Sequence, residues 1–207
     1  VKKIYKKNKL ILVDDLSTGS TTALPKELRK KLIKRKIQDI RKFKTKKIDG
    51  IFHFAAQSSV PTSLKNFYDS SANNIESSLK VFELSRKYKA PIVYASSSAL
   101  YGDIPAGSDT LNKFSIKSPY AQDKLTIENY AKMSSEVFKI SSVGLRLFNV
   151  YGPGQKFHSS YSAVIPIFIN RMIKNKSVVI NGGFQTRDFI YVEDVIEIFL
   201  KTMEKIQ

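Results

Sequence analysis

The run Pro91-Ile92-Val93-Tyr94-Ala95-Ser96, followed at once by Ser97-Ser98-Ala99-Leu100-Tyr101-Gly102, decides the fold. A short apolar run that stops abruptly at small polar residues reads as a buried strand opening into a loop. Working outward, helical stretches over 73–89 and 120–139 bracket it, and strand-like runs over 48–55 and 142–149 lie beyond them. A further strand over 10–13 ends at Asp14-Asp15, and helices are predicted over 25–36 and 163–175. Strands alternating with helices favour an α/β fold, a parallel sheet covered by helices. Such sheets place ligands in the loops after the carboxyl ends of their strands.

The chain has 207 residues, 42% of them hydrophobic and 26% charged, enough for the core of one domain or two small ones. No apolar run approaches the roughly 18 residues of a membrane-spanning helix, and the first 25 residues hold no signal-peptide core. Cys is absent, which excludes disulfides and thiolate metal sites, and only His53 and His158 could serve as imidazole ligands or bases. No metal site is expected. A cytoplasmic setting is the default. His53, on an apolar strand, reads as a packed core residue, and His158 as a loop residue.

The formal charge of +17 is concentrated at one end: residues 1–47 hold 17 Lys and Arg against Asp14, Asp15, Glu27 and Asp39. Such a segment can form a phosphate-binding face or simply the solvated faces of helices. Lys outnumbers Arg 28 to 7, and only Tyr5 and Phe43 lie among the basic residues of this segment, too few to stack a run of bases, so nucleic acid is not the expected partner.

The 120–139 helix carries chemistry. Ser118 is a good N-cap and Pro119 suits the first helical position, which puts Tyr120 in the first turn and Lys124 one turn on, on the same face. A nearby cation and the positive helix terminus both favour phenolate, an acid/base device. Among ten Tyr and 28 Lys, about one such spacing arises by chance, and Tyr5/Lys9 repeats it. Context must therefore carry the reading.

The context is a set of ordered motifs: Val13-Asp14-Asp15-Leu16-Ser17-Thr18-Gly19, His53-Phe54-Ala55-Ala56-Gln57, Ser96 to Gly102, Ser118-Pro119-Tyr120 with Lys124, Arg146-Leu147-Phe148-Asn149-Val150-Tyr151-Gly152-Pro153-Gly154-Gln155, and Arg187-Asp188-Phe189-Ile190-Tyr191. Together they resemble the extended short-chain dehydrogenase/reductase family, in its nucleotide-sugar epimerase/dehydratase branch, over essentially the whole chain. The resemblance implies a Rossmann-like parallel sheet with flanking helices, NAD as cofactor and a nucleoside-diphosphate sugar as substrate. It implies an NAD-binding domain over 1–150 and part of a substrate-binding region over 151–207. A homodimer through helices 73–89 and 120–139 is implied as well.

Residue by residue, the resemblance makes Asp14 the acid that holds the adenosine ribose, and the Asp39-Ile40 pair an adenine contact. Phe54, Ala55, Ala56 and Gln57 become the strand-end turn approached by the cofactor, with Asn74 behind it. Ser59, in the segment Ser58-Ser59-Val60-Pro61-Thr62-Ser63, lies beside the sugar. Ser97 matches the hydroxyl that bonds the reacting sugar oxygen, with Ser96 and Ser98 as one-residue alternatives, and Ser98 also counts as a substrate contact. Tyr120 resembles the general base, and Lys124 the cation that lowers its pKa and bonds the nicotinamide ribose. Asn149 and Arg187 resemble nucleotide or diphosphate contacts, a role suited to an amide and a planar cation.

The implied reaction passes through a transient 4-keto sugar. The acidic pair with which the family's 4,6-dehydratases eliminate water has no counterpart after Ser97, where Ser98-Ala99-Leu100 follows, and this favours a 4-epimerase of a UDP-hexose, UDP-N-acetylhexosamine or UDP-uronate. One element departs from the pattern: no first strand with a Gly-x-x-Gly-x-x-Gly turn precedes residues 10–13. The chain therefore reads as a fold lacking that strand and loop, and as ending short of the remaining substrate-side segment. By itself it is expected to be inactive. A truncated remnant or binding module without catalysis is the alternative reading.

Overall fold

The computed structural model of the chain describes residues 1–104, 113–155, 163–180 and 182–207. In chain order these form β1 (Leu12–Val13), α1 (Lys26–Arg29), β2 (Leu32–Ile33), β3 (Ile51–His53), α2 (Val60–Lys65), α3 (Phe67–Tyr88), β4 (Ile92–Ser97), α4 (Pro119–Phe138), β5 (Ser142–Leu147), β6 (Asn149–Tyr151), α5 (Val164–Ile173), β7 (Phe189–Tyr191) and α6 (Val192–Ile206), with short 3-10 turns between some of them. His158 lies outside the described residues.

All strand pairs are parallel, and they fall into three sheets: β1-β2, β3-β4-β5 and β6-β7. Strand β4 is central in the largest, flanked in register by Ile51 and Ser142 at Ile92. Because successive side chains of a strand point to opposite faces, the alternation within β4 builds two cores. Ile92 and Tyr94 pack with Val81 and Phe82 of α3 and with Ile127 and Ala131 of α4. Val93 faces the other way, against Val195, Phe199 and Met203 of α6. The sheet is thus the middle of three layers. Gly144 of β5 stands opposite Tyr94, and a side chain there would start 2.5 Å from the tyrosine ring, so only glycine fits.

Caps explain where α4 begins and where both long helices end. Ser118 accepts from the Ala121 N–H and Pro119 occupies the first turn of α4. Helices α3 and α4 both stop at a lysine in the left-handed region, Lys89 at φ 51° and Lys139 at φ 56°. No helix among the described residues is long and apolar enough to cross a membrane.

Two expectations need correction. The stretch 25–36 is not one helix: α1 spans only Lys26–Arg29, and Leu32-Ile33 then pairs with Leu12-Val13 as β2. Parallel pairing to a distant segment overrides the local preference for helix. The run 142–149 is likewise not one strand. It breaks at Phe148, after which Asn149 donates its N–H to the Asp188 carbonyl at 3.1 Å and the chain joins β7 rather than β4.

Candidate active site

The carboxyl end of β4 brings side chains from three helices together. Ser97, at the strand's last position, is 8% exposed and accepts from the Ala99 N–H at 3.1 Å. Its hydroxyl stands close enough to the phenol of Tyr120, which is 8% exposed in the first turn of α4, to favour the phenolate. Lys124, one turn on and 5% exposed, lies with Nζ 5.8 Å from the Tyr120 ring centre and donates to the Ala95 carbonyl at 2.7 Å. The structure therefore joins Ser97, Tyr120 and Lys124. Ser96 instead bonds Glu128, and Ser98 opens the 3-10 turn that follows.

The electrostatics correct the expectation of a depressed tyrosine. Burial pushes the Tyr120 phenol above its ordinary value, the Ser97 hydroxyl opposes this, and the Asp123 carboxyl reinforces it. Lys124 is itself desolvated: burial lowers it to about 8, while Asp123 and Glu128 pull the other way. Desolvation of the phenolate is the dominant influence on Tyr120, and the neighbouring ammonium is turned toward the Ala95 carbonyl. His53, at the end of β3, is lowered to about 3 by burial first and by Lys124 second, and its Nε2 meets the Ser78 hydroxyl at 3.0 Å.

A second group surrounds the turn after β3. Phe54 is exposed and rests on Phe199, with ring centres 4.7 Å apart. Ala55 is exposed, and Ala56 and Gln57 are half-buried. Asn74, wholly buried on α3, accepts from the Gln57 N–H at 2.7 Å and donates to the Gln57 carbonyl at 3.2 Å and to Asp123 at 2.9 Å. Gln57 Nε2 donates to the Ser70 hydroxyl at 2.7 Å and the Ser59 carbonyl at 3.0 Å. Ser59 caps α2 by accepting from the Thr62 N–H. One turn on, the buried Ser63 hydroxyl accepts from the Tyr120 N–H at 3.2 Å.

The other candidates stand apart. Asp14, exposed at the end of β1, accepts from the Leu16 N–H at 2.7 Å. Asp39 ends a 3-10 turn and the adjoining Ile40 is buried. Asn149 donates to the Asp188 carbonyl at 3.0 Å, and Arg187 donates to the Thr186 carbonyl at 2.6 Å. Among the described residues no hydrogen bond or ion pair ties either to the Ser97–Tyr120–Lys124 group. A cavity of about 360 Å³ beside them is lined by Leu145, Leu147, Phe148, Asp188 and Ile190 among others. No cluster of three or more His, Cys, Asp or Glu that could hold a metal occurs among the described residues.

Sequence reasoning passed over Asp123, Glu128 and Arg146. Arg146 grips Glu128 through Nε and Nη2 at 2.9 and 2.7 Å, donates to the Tyr101 hydroxyl at 3.2 Å and stacks on the rings of Tyr101 and Phe114. Asp123 at i+3 and Glu128 at i+8 from Tyr120 share its helix face, and that spacing was the available signal.

A family model described as the NAD dependent epimerase/dehydratase family matches residues 2–207. The chain belongs to this family. Among its members, a putative UDP-glucose 4-epimerase of Methanocaldococcus jannaschii is 36% identical over 200 residues, covering 90% of this chain and 62% of the relative. A human dTDP-D-glucose 4,6-dehydratase is 32% identical over 166 residues, covering 79% of this chain and 46% of the relative. The chain thus spans about half to two thirds of the length of these curated relatives. Among solved structures, the UDP-N-acetylglucosamine 4-epimerase of Methanobrevibacter ruminantium, in complex with UDP-N-acetylmuramic acid, superposes with a TM-score of 0.85 at 36% identity, covering 93% of this chain and 64% of the other. A UDP-glucose 4-epimerase of Thermus thermophilus in complex with NAD gives 0.83 at 28% identity, covering 98% and 68%. The Rossmann-like fold of the family is shared throughout.

Proposed function

We propose that the chain is the catalytic core of an NAD-dependent nucleotide-sugar 4-epimerase working through a transient 4-keto sugar. The observation that carries the reading is the buried Ser97–Tyr120–Lys124 group at the carboxyl end of the central strand. The turn after Ser97 offers Ser98, Ala99 and Leu100 and no acidic pair, which supports epimerisation over elimination.

The residues present suit a dinucleotide laid along the carboxyl ends of the strands. Asp14 stands at the end of β1, and the glycine at position 19 keeps its carboxylate approachable, since a side chain there would begin 3.7 Å from both oxygens. Asp14 would hold the adenosine ribose, Asp39 and Ile40 the adenine, the 54–57 turn backed by Asn74 the middle of the cofactor, and Lys124 the nicotinamide ribose. When bound, the nicotinamide supplies a hydride acceptor that later returns the hydride. Ser97 orients the sugar C4 hydroxyl, and Tyr120 takes its proton and gives it back. Ser59 and Ser98 line the sugar, and Asn149 and Arg187, in the 151–207 side of the molecule or at its edge, bind the nucleoside diphosphate. Because burial raises Tyr120, turnover should climb on the alkaline side of neutrality. The outer faces of α3 and α4 expose Leu79 and Val137, which supports dimerisation through this helix pair.

The test is an assay of the protein expressed from its complete reading frame, with NAD and, in turn, UDP-glucose, UDP-N-acetylglucosamine and UDP-glucuronate. The 4-epimer of at least one is expected. A 4-keto-6-deoxy product would replace the epimerase reading with a 4,6-dehydratase, and no product from any of them would favour a binding module.

A further inference from the structure

We propose that Asp123 is a positioning residue: by holding the buried Asn74 amide in one orientation, it locks the 55–59 turn onto the helix that carries Tyr120 and Lys124. The inference rests on the reading above, in which the turn faces the cofactor and Tyr120 the sugar.

The geometry is a closed ring of hydrogen bonds. It leaves the first turn of α4 at Asp123, whose Oδ2 accepts from Asn74 Nδ2 at 2.9 Å. It crosses Asn74 to both backbone groups of Gln57, follows the Gln57 side chain to Ser59, runs through α2, and returns from Ser63 to the Tyr120 N–H. Asn74 has no exposed surface, so every polar atom of its amide must find a partner inside the protein. A carboxylate offers only acceptors. Turning the amide over would set its oxygen against Asp123 and the Gln57 carbonyl, and its NH₂ against the Gln57 N–H. Asp123 thus reinforces the direction that the two Gln57 backbone groups set for the amide and ties that amide to α4.

Burial argues the same point. Asp123 is 4% exposed, and a carboxyl group so placed is costly unless it is paired and hydrogen-bonded. Its partners are the Asn74 amide and the positive charge of its neighbour Lys124. An apolar residue would fill the space at lower cost but would leave the second Nδ2 hydrogen of Asn74 unpaired, and α4 would lose its hydrogen bond to Asn74 and, through it, to the turn. Tyr120 and the turn would then be joined only through Ser63.

Amide hydrogen exchange at Gln57 tests this without cofactor or turnover, read in each variant as a ratio to Val93 of β4 so that global loosening cancels. In Asp123→Ala the ratio should rise about tenfold, as expected for loss of one buried hydrogen bond worth about 1.4 kcal/mol. Asp123→Ser, too short to reach Asn74, should do the same and stands in if the alanine variant does not fold. Asp123→Asn keeps an acceptor oxygen at the same reach and should stay within about threefold of the parent. An unchanged ratio in the alanine and serine variants, or an asparagine variant as fast as they are, overturns the proposal. A negative sugar assay would remove the epimerase reading and leave this result standing, and the converse holds.

Discussion

Helices α3 and α4 lie side by side on one face of the sheet, and their two halves bury different things. The amino-terminal halves, beside the carboxyl ends of the strands, bury Ser70, Asn74, Ser77 and Ser78 on α3, and Tyr120, Asp123 and Lys124 on α4. Further along, the helices bury Val81, Phe82 and Leu84 with Ser85 on α3, and Ile127 and Ala131 with Ser134 on α4. One pair of helices therefore holds a hydrogen-bonded polar end and a predominantly hydrocarbon end in which Ser85 and Ser134 are the buried polar side chains. The polar end carries groups whose desolvation is costly and whose value is chemical, and the apolar end offsets that cost.

Four substitutions can break or sharpen this division. Tyr120→Phe, at the polar end, should lower the proposed 4-epimerase turnover of the protein expressed from its complete reading frame by about 10²- to 10⁴-fold while changing unfolding free energy by less than about 1 kcal/mol. A urea midpoint shifted as far as the activity would show the halves are not separable. Ile127→Ala, at the apolar end and 2% exposed in the parent, should cost about 2–5 kcal/mol of stability in the same urea titration, and where protein remains folded, the Michaelis constant for the sugar should hold.

The third prediction concerns acid. His53 bonds Ser78 at the polar end and is held neutral, its pKa lowered from 6.5 to about 3. Between those values the unfolded chain takes up a proton that the folded chain refuses, so stability falls as pH falls, by up to about 1.4 kcal/mol per pH unit. Denaturant titrations from pH 7 to pH 4 should show this slope flattened in His53→Gln, and identical slopes would place the acid sensitivity elsewhere. The smallest effect belongs to the far end of the apolar halves. Lys139→Gly relieves a left-handed residue worth about 1–2 kcal/mol but adds chain entropy to the unfolded state, for a net gain of about 0.5 kcal/mol. A drop in thermal midpoint would show that Lys139 contributes more than its conformation.

Much of the apolar half is legible in sequence. Its residues recur at helical spacing, Ser118-Pro119 announces the start of α4, and the run ending at Ser97 announces the central strand. Strand β2 is not legible, because two apolar residues, Leu32 and Ile33, between lysines look the same in a helix and in a strand until Leu12 and Val13 are beside them. The break at Phe148 is hidden for a similar reason: the residues on both sides favour strand, and only the rival partner Asp188 separates β5 from β6. In the site, Ser97, Tyr120 and Lys124 can be named from motif order, and the structure joins them by contact. The Asp123–Asn74 bond spans 49 residues, and nothing local foretells it. Nor could spacing reveal that Lys124 would be turned toward the Ala95 carbonyl and that burial would leave the phenol raised.

The two left-handed lysines also bear on how the gene can change length. Tyr88 ends α3 four positions before Ile92, Phe138 ends α4 four positions before Ser142, and Ile92 and Ser142 stand side by side in the sheet. A connector this short leaves little slack: a deleted codon would have to be made up by unwinding the helix end or by slipping the following strand one residue, and such a slip would turn its inward side chains outward. An added codon would have to loop out beside a lysine already held in the left-handed region, so length is tolerated less at this edge than in the longer loops at the carboxyl ends of the strands.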